Sequence, residues 1–327
     1  MSYEFGKTFG YREGMRRAIL AGVLGAGLTI FPTPGQAQEP GQTPVPTFRG
    51  GVDLVTVSAT VRDGKGRLVT DLTVRDFEVI DRGARRAISE FRADRAPVSL
   101  AILFDVSGSM DVAARMTAAK FAAHHLLSWL DEGRDEAALF AFDSRLHEVA
   151  PFTVDTRALQ GALGEVDPFG ATSLHDAIAE AAARVATRPA QRRAVVVLTD
   201  GVDTASRLSP AQVSAKAAAI DVPVYVIATV MSIDDPDSDR ATPQTHRVVP
   251  ASVGTIADLA RWTGGALFYS STSASASKAA RAVVDELRQL YLIAFEPGAD
   301  AGWHPIEIRM KKKDMVVRAR GGYVAGR

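Results

Sequence analysis

Three side chains with oxygen atoms stand at alternate positions in the segment Asp105-Val106-Ser107-Gly108-Ser109. The segment directly follows an apolar run, residues 98–104, that we interpret as a buried strand. A carboxylate and two hydroxyls at the end of a strand can converge on one hard cation, because Mg²⁺ prefers oxygen ligands. The D-x-S-x-S pattern is weak evidence alone, since the same residue types are common as helix caps. A metal site therefore needs further ligands elsewhere in the chain.

Two later segments supply such ligands. Thr172 precedes a helical stretch, and Asp200 follows a second apolar run, residues 194–198. In a doubly wound sheet, ligands bind at the carboxyl ends of the strands. Because Asp105 and Asp200 both follow predicted strands, we expect them to meet Thr172 at one end of such a sheet.

The central part of the chain alternates strand-like and helix-like segments, which predicts a doubly wound, mostly parallel sheet with helices on both faces. The predicted strands are residues 98–104, 137–142, 194–198, 222–228 and 266–269. The predicted helices are residues 113–130, 157–163, 174–186, 210–220, 255–263 and 277–290. We assign residues 95–288 to this Rossmann-like α/β domain.

Both ends of the α/β domain carry short strand-like segments. Residues 51–94 form an N-terminal β flank, with period-two alternation at residues 54–61 and a turn signal at Asp63-Gly64. Residues 289–327 form a C-terminal β flank with similar signals. Neither flank has enough strands for a convincing core alone. We therefore expect the two flanks to pair into one small β-sandwich beside the α/β domain.

The order and spacing of the metal-site motifs resemble the metal-ion-dependent adhesion site of von Willebrand factor type A domains. Other segments look like the VWFA-related family of Acidobacteria. They are LTVRDFEV at 72–79, SLHDA at 173–177, YLIAF at 291–295 and RGGY at 320–323. The resemblance covers residues 50–325, and it departs at His175, where an aromatic residue such as tyrosine is expected.

This resemblance implies a role for five residues. Direct contact with the metal is implied for Ser107, Ser109 and Thr172, whereas Asp105 and Asp200 hold it through water or switch to direct contact. Because the direct ligands are then neutral, the Mg²⁺ or Mn²⁺ ion stays electrophilic toward an outside carboxylate. The implied function is a non-enzymatic binding module, whose metal captures a Glu or Asp of a protein partner.

Other interpretations stay open. The metal could serve only to stabilise the fold of a structural or assembly protein of the cell envelope. A Ser–His–Asp hydrolase using Ser107 and His175 is conceivable, but the chain lacks a G-x-S-x-G elbow. Asp203 is either another outer-shell group of the metal or, more commonly for such a residue, a cap or turn residue. The acidic segment 234–239 lacks the glycine and glutamate of an EF-hand calcium loop.

Composition excludes several classes of protein. The 327 residues carry a net charge of zero, so no global electrostatic attraction draws the chain to nucleic acid or to an anionic membrane. There is no cysteine, so the fold needs no disulfide and a lipoprotein anchor is excluded.

The N-terminal segment indicates export. Residues 1–37 are predicted to be a signal peptide, with Met15 as an alternative start and an uncleaved anchor as the alternative interpretation. Its basic pair Arg16-Arg17 precedes an apolar run, residues 18–31, that is short for a membrane span. Residues 38–50, rich in Pro, Gln, Gly and Thr, predict a linker. We expect a secreted or periplasmic protein without membrane insertion after cleavage.

Overall fold

The computed structural model describes residues 54–165, 171–190, 192–230 and 255–326. The predicted signal peptide, the predicted linker and the acidic segment 234–239 lie outside these residues. Within the described ranges, none of the helices has the length and apolar character needed to cross a membrane.

The N-terminal flank consists of four strands: β1 (Val55–Asp63), β2 (Phe77–Asp81), β3 (Ala84–Arg86) and β4 (Ile88–Arg92). The chain reverses after β1, where the Gly66 N–H donates to the carbonyl of Asp63 over 2.9 Å. Gly66 has a φ of 77°, a left-handed conformation that glycine adopts without steric cost. The Asp63-Gly64 turn signal therefore marks a real chain reversal.

Strands and helices alternate in the α/β region that follows, and the C-terminal flank after it consists of strands. The central strands are β5 (Val98–Asp105), β6 (Glu136–Phe142), β7 (Leu146–Thr153), β8 (Arg192–Thr199), β9 (Val224–Thr229) and β10 (Leu267–Ser270). The helices are α1 (Arg115–Ser128), α2 (Thr156–Ala162), α3 (Leu174–Ala186), α4 (Pro210–Ala219), α5 (Ile256–Trp262) and α6 (Ser273–Arg288). The last strands are β11 (Tyr291–Phe295), β12 (Gly302–Met310), β13 (Met315–Ala319) and β14 (Gly322–Ala325).

The central sheet has six strands in the order β10-β9-β8-β5-β6-β7. All neighbours are parallel except β7, which pairs antiparallel with β6. Every residue of β5 is buried, as expected for a central strand of a parallel sheet that is covered on both faces. The prediction of a mostly parallel sheet is confirmed. It lacked β7, whose residues are half-buried or exposed and show no continuous apolar run.

Helices cover both faces of this sheet. One face packs α1, α2 and α6 against alternate residues of β5 such as Ile102. The other face packs α3, α4 and α5 against the intervening residues, such as Leu103. Because side chains alternate along a strand, two separate apolar cores form on the two faces. Both cores hold β5 and β8 rigidly at the centre of the domain.

Two four-stranded antiparallel sheets lie outside the central sheet, with the orders β13-β1-β11-β4 and β14-β12-β2-β3. Each mixes strands from the two ends of the described chain; for example, Val57 pairs with Ile293 and Val79 pairs with Ile308. These four side chains belong to one buried apolar cluster shared by the two sheets. The expected β-sandwich of N- and C-terminal strands is therefore confirmed.

Buried charged groups join the sandwich to the α/β region. The carboxylate of Glu286, on α6, is fully buried and forms ion pairs with Arg62 on β1 and Arg318 on β13. Arg192, at the start of β8, donates to the backbone carbonyls of Asp94 and Leu290, where the chain enters and leaves the α/β region. These contacts fix the path of the chain between the two structural parts.

Candidate metal centre

The ends of β5 and β8 lie side by side at one edge of the central sheet. The two strands are parallel neighbours, with Phe104 opposite Leu198. Asp105 directly follows Phe104, and Asp200 comes two positions after Leu198. Both aspartates therefore lie at the same edge of the sheet. This edge is the carboxyl end of the parallel strands, where α/β sheets bind their ligands.

Asp105 is fully buried and both of its carboxylate oxygens are held. Oδ1 accepts the backbone N–H of Ser107 over 2.9 Å. Oδ2 accepts the hydroxyl of Thr199, the last residue of β8, over 2.6 Å. The carboxylate therefore has one fixed orientation, set by β8 and by the turn that carries the two serines.

The two serine hydroxyls converge on each other. A 3₁₀ helix spans Gly108–Ala114 ahead of α1, so the α-helix begins two residues later than the sequence predicts. The Ser107 and Ser109 Oγ atoms lie 3.0 Å apart. Ser107 is buried, Ser109 is half-buried, and the buried Met110 follows them. The two hydroxyl oxygens at the strand end are therefore close enough to bind the same cation.

The loop of Thr172 is tied to the segment that follows Asp200. The carbonyl of Thr172 accepts the N–H groups of Thr204 and Ala205, each over 2.9 Å. The Thr172 N–H donates to the Thr204 hydroxyl over 3.0 Å. Among the described residues, the hydrogen bonds of the buried residue Thr172 use its backbone, which leaves its hydroxyl available as a ligand.

The next residue of this loop is tied to β6. The Ser173 N–H donates to the carbonyl of Asp143, one residue beyond β6, over 2.6 Å. The same bend receives the end of β5, because the Val106 N–H donates to the carbonyl of Phe142 over 3.0 Å. The loop before α3 and the loops after β5, β6 and β8 are thereby joined into one assembly that carries the candidate ligands.

Asp200 is held by a basic residue. Its Oδ2 accepts Nη1 of Arg115 over 3.0 Å, and the same Nη1 donates to the carbonyl of Ser109 over 3.1 Å. The side chain of Asp200 is 5% exposed and that of Arg115 is 21% exposed. The turn after Asp200 depends on Gly201, whose φ of 87° strains any other residue type. Arg115 thus links Asp200 to the turn that carries the two serines.

The electrostatic environment of Asp105 favours a bound cation. Burial raises the pKa of Asp105, hydrogen bonds from Thr199 and Ser107 oppose the rise, and the charge of Asp200 adds to it. The net pKa lies above the ordinary value for aspartate. Ionised Asp105 is therefore costly in the protein alone, and a cation at this edge stabilises the ionised form.

Asp203 is held by the start of α3 and by the segment that follows it in sequence. Its Oδ1 accepts the Leu174 N–H over 2.9 Å and the Ser206 hydroxyl over 2.7 Å, and its Oδ2 lies 3.1 Å from His175 Nδ1. It therefore caps the first turn of α3 and fixes the imidazole. Ser107, whose hydroxyl pairs with Ser109, has no hydrogen bond to His175 within the described ranges.

The donor set suits a hard cation. Two carboxylates and three hydroxyls offer only oxygen atoms, which Mg²⁺ and Mn²⁺ accept and soft metals disfavour. Among the described residues, no group of three or more His, Cys, Asp or Glu side chains could hold a metal, so no competing site of the usual carboxylate or imidazole type is found there. The five candidate residues fit the expected ion.

Three residues that organise this edge were missed by the sequence analysis as site residues: Thr199, Arg115 and Asp143. The position of Thr199, directly before Asp200, was a signal for it. Arg115 and Asp200 are 85 positions apart, and no local pattern points to their pairing. Asp143 acts through its backbone carbonyl, which no side-chain motif reveals.

Comparison with known proteins identifies one domain. Residues 100–202, which include all five candidate ligands, match the family model of the von Willebrand factor type A domain. No curated protein matches the chain significantly.

Several solved structures are similar to the chain. An aerotolerance-related membrane protein from Bacteroides fragilis is 20% identical, with a TM-score of 0.46 over 58% of this chain and 98% of that one. A von Willebrand factor type A protein from Catenulispora acidiphila is 15% identical, with a TM-score of 0.46 over 85% and 74%. The vWF domain of the type V pili tip protein Mfa5 from Porphyromonas gingivalis is 26% identical, with a TM-score of 0.30 over 34% and 40%.

Proposed function

Because the chain contains a von Willebrand factor type A domain at residues 100–202, we propose that it is a non-enzymatic binding module that captures an acidic side chain of a protein partner through a divalent cation. The residues proposed to hold Mg²⁺ or Mn²⁺ are Asp105, Ser107, Ser109, Thr172 and Asp200. The narrower resemblance to the VWFA-related family stays a prediction.

The fixed geometry of Asp105 carries this proposal. A fully buried carboxylate whose hydrogen-bond partners among the described residues, Thr199 and Ser107, are uncharged needs a positive partner to stay ionised at low cost. The adjacent serine hydroxyls, 3.0 Å apart, are placed to share such a partner. A divalent cation satisfies both requirements, since it binds hydroxyl and carboxylate oxygens together.

The expected chemistry of the site is capture rather than catalysis. Three neutral hydroxyl ligands leave the charge of the cation uncompensated within its direct shell. Mg²⁺ demands an octahedral shell, so a coordination position filled by water can accept an outside carboxylate instead. A Glu or Asp of a protein partner offers the required hard oxygen. Asp105 and Asp200 orient the hydroxyls and any bound water from outside the direct shell.

A second candidate function is structural. The buried ion pairs of Glu286 with Arg62 and Arg318 fasten the sandwich to the α/β region. This supports a rigid two-part building block of the cell envelope, in which a metal only stabilises the fold. The two proposals differ in one respect: only the first requires an outside carboxylate to bind at the metal.

The proposed location is outside the cytoplasm. It rests on the predicted signal peptide, residues 1–37. N-terminal sequencing of the protein recovered from the periplasm or the medium tests it, and the mature chain is expected to begin near Gln38. An intact N-terminus on a cytoplasmic protein contradicts export.

The capture function is tested with two short peptides, acetyl-Gly-Glu-Gly-amide and its glutamine counterpart. NMR titration of the protein is run with each peptide in saturating Mg²⁺ and in EDTA. We expect binding of the glutamate peptide in Mg²⁺ only, and no binding of the glutamine peptide. Binding of Mg²⁺ without any binding of the glutamate peptide favours the structural role instead.

A matched pair of variants controls for the position of the charge. Asp105→Ala removes a proposed metal-site carboxylate, and Asp285→Ala removes a surface carboxylate on α6 that pairs with Arg281 over 3.5 Å. Only Asp105→Ala is expected to abolish the Mg²⁺-dependent peptide signal. Equal signals from both variants contradict the assignment.

A further inference from the structure

Arg115 places a permanent positive charge beside the candidate ligands. Its Nη1 bridges Asp200 Oδ2 and the carbonyl of Ser109, at 3.0 and 3.1 Å. Its Nε is buried and finds no hydrogen-bond partner among the described residues. The side chain as a whole is 21% exposed, so part of it stays in contact with solvent. An arginine is charged at every relevant pH.

The charges of this cluster decide what the site attracts. With the carboxylates of Asp105 and Asp200 ionised, the guanidinium that pairs with Asp200 leaves one net negative charge on these three groups. A divalent cation turns this into one net positive charge. Without the guanidinium, the cation and the two carboxylates cancel. The carboxylate of Asp203 is held by His175 and two hydrogen-bond donors, and its charge is the same in the wild type and in every Arg115 variant, so it does not affect their comparison.

From this balance we propose that Arg115 is the residue that makes the metal-loaded site cationic and thereby selects a carboxylate as its partner. The inference rests on the proposed function and extends it to a residue outside the ligand set. The guanidinium repels the incoming cation and so weakens its binding. It attracts the partner's carboxylate and so strengthens the second binding step.

The proposal predicts that one substitution changes the Mg²⁺ affinity and the peptide affinity in opposite directions. Arg115→Gln keeps a side chain that can donate to Asp200 and Ser109 but removes the charge. We expect Mg²⁺ to bind about fivefold more tightly to this variant, and the glutamate peptide to bind about fivefold more weakly to its Mg²⁺ form, as loss of one partly screened unit charge implies. If Arg115 only positions Asp200, both affinities fall together.

The experiment measures both steps on the full chain. Mg²⁺ affinity is measured by calorimetry for the wild type, Arg115→Gln, Arg115→Lys and Arg309→Gln. Peptide affinity is measured by NMR with acetyl-Gly-Glu-Gly-amide at saturating Mg²⁺. Arg115→Lys keeps the charge and is expected to resemble the wild type in both steps. Arg309, paired with Glu307 over 2.7 Å on β12 of the sandwich, is the matched control and is expected to change neither.

Each outcome decides the matter. Tighter Mg²⁺ binding with weaker peptide binding in Arg115→Gln, restored by lysine, supports the proposal. Unchanged affinities, or a parallel loss of both, overturn it while the proposed function stands. A wild type that binds no Mg²⁺, or binds Mg²⁺ but no glutamate peptide, overturns the proposed function and this inference with it.

Discussion

The hydroxyl of Thr199 donates to Oδ2 of Asp105 over 2.6 Å, and this bond joins the carboxyl ends of the two central strands. The same hydroxyl oxygen accepts the N–H of Gly201 over 3.0 Å. Thr199 is fully buried, so water cannot replace either contact at low cost. The orientation of the Asp105 carboxylate therefore depends on a residue that is not itself a candidate ligand.

Replacing Thr199 by valine is expected to destabilise the protein by about 1–3 kcal/mol, because the buried carboxylate and the Gly201 N–H each lose a partner. Mg²⁺ affinity should also fall, since the carboxylate loses its fixed orientation. Urea unfolding and Mg²⁺ calorimetry measure the two effects. The matched control is Thr60→Val: Thr60 is 2% exposed, and its hydroxyl has no hydrogen-bond partner in the described part of the chain. Equal stability losses for both variants contradict the role of Thr199.

The stability of the protein in EDTA should depend on pH through Asp105. Burial, the largest cause, raises its pKa in the folded chain, whereas an unfolded aspartate ionises near pH ~3.9. The folded state then binds the proton more tightly, so the free energy of unfolding decreases as pH rises from about 4 through the folded pKa. The Asp105→Asn variant has no titrating carboxyl group at this position, so it lacks this pH dependence. Urea unfolding from pH 4 to 7 in EDTA should therefore show the wild type losing stability relative to the variant.

A surface variant and a measurement in Mg²⁺ serve as controls for this pH dependence. Asp285→Asn, on the surface of α6, should follow the pH profile of the wild type. Saturating Mg²⁺ at pH 7 should reverse the order, because a ligand of the folded state stabilises only the protein that binds it. Parallel profiles for the wild type and Asp105→Asn in EDTA would show that the buried carboxylate has an ordinary pKa.

Asp81, at the end of β2, should have the opposite pH dependence. Burial by itself raises its pKa, but hydrogen bonds from His304 at 2.8 Å, the Gly298 N–H at 3.1 Å and Tyr323 at 3.2 Å outweigh it and hold the pKa below the ordinary value. This stability is present above pH ~3.9 and is lost as pH falls through the folded pKa. Asp81→Asn is expected to cost about 3 kcal/mol at pH 7 and less at pH 3. Urea unfolding at both values measures it.

Asp300→Asn is the control for Asp81. Its exposed side chain pairs with Arg82 over 3.3 Å, and His304 reaches only its backbone carbonyl. The free energy of unfolding of Asp300→Asn should fall by less than about 1 kcal/mol. A loss at Asp81 that does not change between pH 7 and pH 3 would mean that the charge of the carboxylate contributes nothing.

Glu286 tests the joint between the sandwich and the α/β region. Its carboxylate is fully buried between Arg62 and Arg318, so Glu286→Gln leaves two guanidinium groups without their counter-charge. We expect a loss of about 2–4 kcal/mol in the free energy of unfolding, measured in urea. Glu307→Gln, in the exposed pair with Arg309, should cost less than about 1 kcal/mol. A similar small loss at Glu286 contradicts its role as the fastening group.

Much of the α/β region could be predicted because its strands are continuous apolar runs. The residues of β5 and β8 are buried on both faces, and a run of this kind is visible in sequence without knowledge of its partners. Helix starts were equally local: Ser209 caps α4 by accepting the Gln212 N–H, and Pro210 follows at the first helical position. The strand β7 was missed, since an edge strand needs no continuous apolar run.

The prediction of the site stopped where its contacts become long-range. Asp105, Ser107 and Ser109 form a local motif, and their strand-end position follows from the preceding run. The bond from Arg115 to Asp200 spans 85 positions, and the bond from Thr199 to Asp105 spans 94. Pairings of this kind depend on which strands become neighbours, and sequence periodicity does not encode that order.

The central claim is that a divalent cation binds at the edge formed by β5 and β8, and calorimetric titration of Mg²⁺ tests it most directly. Wild type, Asp105→Ala, Ser109→Ala and Asp285→Ala are titrated at pH 7, after EDTA treatment and its removal. We expect one site per chain in the wild type and in Asp285→Ala, weaker binding in Ser109→Ala, and no binding in Asp105→Ala. Equal Mg²⁺ affinity in the wild type and Asp105→Ala, or no binding in the wild type, would contradict the account.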